Sequence, residues 1–183
     1  LDDASAHPWS GLKKGIMDLV IASVAAYTYL NFNSNTIQIA TLGLRVTIPP
    51  VLFGILTVAL VWGSINVTNC TDGVDGLSGT LTIITLATFY VVDNIMENKD
   101  GFTVLILFMI ICILGYLWYN ATPSRLLMGD AGSRAMGIFI SITALKSGCP
   151  LLYIPVAIVI ILDGGLGLLK VSLIKVCHIH ILT

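Results

Sequence analysis

The sequence predicts an all-α fold, a polytopic helical bundle integral to a membrane. Three observations predict it. First, the 183 residues are 56% hydrophobic and only 10% charged, with a mean hydropathy of +0.95. A soluble domain carries roughly 25% charged residues and needs that polar surface to meet water. Second, the apolar residues form long continuous runs, which excludes the alternating pattern of a membrane β-barrel. Third, the acids and asparagines gather in connecting segments on one side of those runs. The net charge of −1 and the lack of a basic run give no footing for nucleic acid as a partner.

Each run is justified by length. A spanning helix needs ~20 mostly apolar residues. Candidates fall at roughly 15–31, 48–65, 77–94, 101–119, 131–147 and 150–174, about six spans in all. The fifth is the most polar at its start, "AGSRAMG". Alternating connections put Lys13 and Lys14, the stretch 66–76, the stretch 120–130 and Lys175 on one side. Residues 31–47, "ENKDG" and "SGC" fall on the other. The Lys/Arg bias makes the first side cytoplasmic. The chain reads as one transmembrane catalytic domain over residues 1–183.

Cys70, Cys112, Cys149 and Cys177 are widely spaced, without a CxxC pair. They read as small buried hydrophobes, not as a disulfide frame or zinc site. The opening "LDDASAHPW" has no Met and no cleavable leader pattern, so the chain is expected to be a fragment.

The chemistry sits in three clusters on the cytoplasmic side. In "NVTNCTDGVDGLSGT", Asn66, Asn69, Asp72 and Asp75 recur every third residue. If helical, they share one face and suit a ligand rich in hydrogen-bonding groups, such as a nucleotide. The alternative is a solvated loop built on Asp-Gly turns, and spacing alone leaves both open. In "YNATPSRLLMGDAGSRAMG", Asp130 stands among small residues at a predicted helix start. It is either an N-cap or an acid beside amides that help hold a metal-bound phosphate. Asp2 and Asp3 form the third cluster. Three acidic clusters on one face point to a divalent cation, and such oxygen ligands suit Mg²⁺. Asp163 falls inside the sixth run. An acid at the bilayer centre costs ~2.5–3.5 kcal/mol, so it is expected to pack against a neighbouring helix or border a groove.

"NxxNxTDGxDGLxG" and "MGDxGS", in this order, resemble the polyprenyl-phosphate N-acetylhexosamine-1-phosphate transferases. Thr71 before Asp72, with "YNxxPxxxxMGDxGSxAxG", is most similar to the phospho-N-acetylmuramoyl-pentapeptide transferases within that family. The resemblance covers most of the chain. It implies a bacterial inner-membrane enzyme of ten transmembrane helices with a cytoplasmic cleft, so that helices are missing here at both ends. It implies transfer of phospho-MurNAc-pentapeptide from its UDP donor to undecaprenyl phosphate, giving lipid I and UMP in peptidoglycan synthesis. It further implies Mg²⁺, a homodimer and a site open to nucleoside inhibitors.

On that template Asp2, Asp3 and Asp130 match the catalytic acids, with Asp130 as the metal ligand. Asn66, Asn69, Asp72, Asp75 and Asn120 match the substrate-binding segments. Three features depart from the pattern. Residue 6 is Ala, where the motif after the acid pair has Lys. Leu127 stands where members often carry a Phe able to stack on uracil. His178 and His180 follow Lys175 without a proline-containing loop and read as the continuation of a helix. The rival readings are a UDP-GlcNAc-using relative and, from another class, a transporter fragment. The one-sided clustering of acids speaks against the transporter.

Overall fold

A computed structural model describes residues 10–39, 43–96 and 101–177. The elements in order are α1 (Gly11–Phe32), β1 (Thr36–Ile39), β2 (Leu44–Thr47), α2 (Pro50–Thr71), α3 (Leu77–Ile95), α4 (Phe102–Asn120) and α5 (Gly129–Lys146). A 3₁₀ turn at Pro150–Leu152, a short α6 (Tyr153–Val156) and α7 (Ile158–Cys177) follow. The helices run alternately up and down. One end of the bundle therefore collects the start of α1, the α2–α3 turn and the α4–α5 loop.

α2 is the hub, packed on α1, α5 and α7. Two glycines allow its close neighbours. A Cβ at Gly137 of α5 would lie 2.6 Å from the Ser64 carbonyl oxygen, and one at Gly164 of α7 would overlap the Val67 backbone. One core joins Leu86, Phe89, Ile106, Met136, Ile140 and Ile160. A second joins Ala22, Phe53, Val61, Ile65 and Leu145. The outward faces are as apolar as the core: Val104, Phe108, Ile111, Leu114 and Trp118 of α4 are all exposed. A helix apolar all round is a membrane helix or a core helix, and α4 is not enclosed.

The spans differ from expectation in two places. Among the described residues four helices, α1 to α4, are long and apolar enough to cross a membrane, or five if α6 and α7 count as one bent span. The expected fifth run forms α5, which does not reach that standard. It has no need to, because Ser133, Met136, Gly137, Ile140, Ser141, Thr143 and Ala144 are buried against protein. The expected sixth run bends by 76° between α6 and α7. Pro155 removes a backbone donor there, and α6 ends at Val156 after four residues.

The bend changes the position of Asp163. α7 starts beside the last turns of α2, where Thr71 Oγ1 donates to the Ile160 carbonyl at 3.3 Å. Asp163 is one turn further on and exposed, which goes against the first of its two expected places, packed against a neighbouring helix. The cysteine expectation also needs correcting: Cys149 is buried, Cys70 half-buried and Cys112 exposed. Cys112 lies on α4, whose apolar outer face suits a small hydrophobe without burial by protein.

An antiparallel hairpin interrupts the otherwise all-α chain, with Thr36 opposite Thr47 and Ile39 opposite Leu44. The Gln38 amide donates to the Gly148 carbonyl at 2.7 Å, tying the hairpin to the far end of α5. Hydropathy read this segment as a plain connection. Its signal was the alternation "TIQI" and "LRVT", which spans only four residues a side.

Candidate active site: an acidic cleft between two loops

The stretch Asn66 to Thr80 is part helix and part turn. α2 carries Asn66 and Asn69 and ends at Thr71, with Asp72 as its C-cap. Gly76 takes the left-handed conformation (φ +75°) that starts α3, a geometry glycine adopts without a Cβ penalty. The expected four-residue helical stripe therefore breaks after Asn69. Asn66 leaves it as well, since its amide donates to the Trp62 carbonyl of its own helix at 2.8 Å.

Asn120 laces this turn to the α4–α5 loop. It is 3% exposed. Its Oδ1 accepts the Gly76 N–H at 2.8 Å, and its amide donates to the Leu126 carbonyl at 2.8 Å and to Ser124 Oγ at 3.3 Å. Asp75 Oδ2 accepts the Ser124 N–H at 3.2 Å. Asp72 Oδ1 accepts from Ser78 Oγ at 2.6 Å, bracing the first turn of α3.

Between the two loops opens a cleft of about 280 Å³, lined chiefly by Asn69, Asp72, Asp75, Asn120, Leu127 and Asp130. Five of the residues singled out in the sequence thus meet, from positions up to 61 apart. Asn66 does not line the cleft. Asp2, Asp3, His178 and His180 lie outside the described residues.

Asp130 is the most engaged acid. Its Oδ1 accepts from Asn69 at 3.2 Å, and its Oδ2 from Lys14 at 2.6 Å and Arg134 at 3.3 Å. Asn69 also donates to Ser133 Oγ at 2.9 Å. The Lys14 hydrogen bond holds the Asp130 carboxyl below the usual carboxylate range, against the opposing effect of burial, with help from Asn69 and Arg134. Asp130 sits in the first turn of α5, so the positive end of the helix favours the anion as well.

Lys14, Ser133 and Arg134 were not foreseen as site residues. Arg134 carried a local signal, four residues after Asp130 on a predicted helix. Lys14 carried none, being 116 residues from its partner.

The cleft offers only hard oxygen donors among its acidic and amide groups, a set that fits Mg²⁺. Among the described residues no three His, Cys, Asp or Glu side chains form a ready cage. Mg²⁺ often takes one or two carboxylates and fills its shell with water and phosphate oxygens, so Asp130 with a neighbouring acid fits that habit.

A family model described as glycosyl transferase family 4 matches residues 1–148, which includes every described side chain of the cleft. The chain belongs to glycosyl transferase family 4. Relatives within reach are named phospho-N-acetylmuramoyl-pentapeptide-transferase. That of Treponema pallidum (strain Nichols) is 36% identical over 201 residues, covering 100% of this chain and 55% of the relative. That of Clostridium acetobutylicum is 31% identical over 157 residues, covering 86% and 49%. That of Fervidobacterium nodosum is 37% identical over 123 residues, covering 67% and 37%. The chain spans about half the length of the curated relatives it matches. Membership in a glycosyl transferase family agrees with a polar, acid-lined cleft at one end of a membrane bundle.

Proposed function

We propose that the intact protein is a phosphoglycosyl transferase that moves phospho-MurNAc-pentapeptide from its UDP donor to undecaprenyl phosphate. The observation that carries the reading is the convergence of Asn69, Asp72, Asp75 and Asp130 on one cleft at one end of the bundle. A phosphate oxygen of the lipid attacks the sugar-bearing phosphorus of the donor. The new P–O bond forms as the bridging P–O bond breaks, and UMP leaves with the electron pair. The products are lipid I and UMP.

The lipid phosphate has a second pKa of about 6, so it is mostly dianionic at neutral pH and gains little from a base. The obstacle is the approach of one anion to another. Mg²⁺ held by Asp130 would supply the charge that offsets this repulsion. Lys14 and Arg134 add positive charge at the same carboxylate. Asp72 and Asp75 face the nucleotide, and Asn120 keeps the two loops at the spacing the donor needs. Asp2 and Asp3 position the acceptor or complete the cation's shell. The protein sits in the bacterial inner membrane with the cleft on the cytoplasmic face, works as a homodimer, and offers nucleoside inhibitors the same cleft.

The test is reconstitution of the intact protein in bilayers with undecaprenyl phosphate and Mg²⁺, counting UMP released from UDP-MurNAc-pentapeptide and, separately, from UDP-GlcNAc. Release from the first donor alone is expected. Release from UDP-GlcNAc alone would move the protein to the rival branch. Cysteine at position 124 should react with an impermeant thiol reagent only from the cytoplasmic side, and labelling from outside would reverse the orientation.

A further inference from the structure

α1 and α5 meet through two charged pairs, each four residues apart on its own helix. α1 presents Lys14 and Asp18, and α5 presents Asp130 and Arg134. The order of charge is reversed between them, so each group faces its opposite. Lys14 Nζ reaches Asp130 Oδ2 at 2.6 Å, and Arg134 Nε lies 3.2 Å from Asp18 Oδ1. Arg134 Nη1 lies 3.3 Å from Asp130 Oδ2. One guanidinium is thereby shared between a cleft acid and a buried acid, for Asp18 is 2% exposed. Asp18 Oδ2 is buried without a hydrogen-bond partner among the described residues, and Asp18 does not line the cleft.

A buried carboxylate needs a counter-charge, and Arg134 supplies one to Asp18 at 3.2 Å. The guanidinium is a rigid planar fork. Drawn toward Asp18 by an ion-pair contact at Nε that lacks hydrogen-bond geometry, it reaches Asp130 through a single nitrogen. Released from Asp18, the same fork could close on Asp130 with two parallel hydrogen bonds, the favoured Arg–carboxylate geometry. Asp130 would then be neutralised and turned away from the cleft.

We propose that Asp18 is a positioning residue that acts through Arg134, holding the guanidinium toward α1 so that Asp130 keeps its charge and aim for a divalent cation. The inference rests on the reading of Asp130 as the cation ligand, and it extends the site to a residue outside the cleft.

The experiment measures Mg²⁺ binding alone, by calorimetry on the intact protein, with thermal melts alongside. Asp18→Asn should weaken Mg²⁺ binding by roughly tenfold, the low end for loss of a close charge pair. Arg134→Gln should act in the opposite direction and tighten it, since a competing cation is removed from Oδ2. The double variant should bind Mg²⁺ as tightly as Arg134→Gln alone, because Asp18 then has no guanidinium to position. A purely structural pair would lower the melting temperature in both single variants without opposite effects on Mg²⁺ affinity. If both single variants shift Mg²⁺ binding in the same direction, or neither shifts it, the proposal is overturned. Should Asp18→Asn not fold, Asp18→Glu keeps the charge and should bind Mg²⁺ within about threefold of the parent. Arg134→Gln then carries the sign test, and weaker binding in it overturns the proposal. Unchanged Mg²⁺ binding in Asp130→Asn would instead remove the underlying assignment of the cation to Asp130.

Discussion

The two ends of the bundle are both polar, but they use their polar groups differently. At the hairpin end, polar groups are consumed by backbone. The strands pair, Asn35 donates to the Ile48 carbonyl at 2.6 Å, and the Gln38 amide closes on Gly148. At the cleft end, carboxylates accept from side chains and loop amides and still line an opening of about 280 Å³. A lysine meets a side-chain oxygen at each end, Asn33 in one case and Asp130 in the other. Only the second partner is charged. Polarity at a helix end is therefore weak evidence for a site, because any chain reversal needs it. Concentrated like charge facing a cavity is stronger evidence, since it is costly unless a ligand or counter-charge answers it.

The largest expected effect tests the charge itself. Asp130→Asn keeps the shape and the Asn69 contact but removes the charge, and should cut UMP release by on the order of a thousandfold with the protein still folded. Near-parent turnover at saturating Mg²⁺ would erase the distinction between the two ends.

Asn120→Ala comes next. It leaves the Gly76 N–H without its partner, while the Leu126 carbonyl keeps the Ser124 hydroxyl at 3.1 Å, so stability should fall by about 2 kcal/mol. Denaturant or thermal unfolding in detergent would show it. Asn35→Ala at the hairpin end should cost less, about 1 kcal/mol, because that site is only partly buried. Equal losses would mean the cleft loops are no more tightly laced than the hairpin.

Asp75→Ala should weaken uridine nucleotide binding by roughly tenfold with little change in binding of the lipid acceptor. Calorimetry with UMP would check it, and an unchanged affinity would take Asp75 out of the nucleotide's reach. The smallest effect is expected from Thr47→Ala. It removes one exposed cross-strand contact with Thr36 at 3.3 Å, which contributes about 0.2–1 kcal/mol, and should leave nucleotide binding untouched. A change in nucleotide binding would reveal coupling between the ends.

Composition and periodicity by themselves determined that the chain is a membrane bundle, because burial in lipid demands long apolar helices whatever their arrangement. They also grouped Asn69, Asp72, Asp75, Asn120 and Asp130 at the same end of the runs, where the cleft lies. Local spacing brought out Asn69, Asp72, Asp75 and Asp130 as candidates, but it suggested a stripe on one helix. Only the tertiary structure decided that the helix stops at Thr71 and that two loops, laced by Asn120, form the cleft. Hydropathy could not separate α5 from a lipid-facing span, because it counts apolar residues without knowing which neighbours cover them. It was equally blind to the bend that places Asp163 level with the end of α2. The contacts of Lys14 with Asp130 and of Asp18 with Arg134 join residues 116 apart in the chain. No local pattern encodes such a pair. It exists because α1 and α5 are brought side by side with their charges in opposite order, and that is a property of packing.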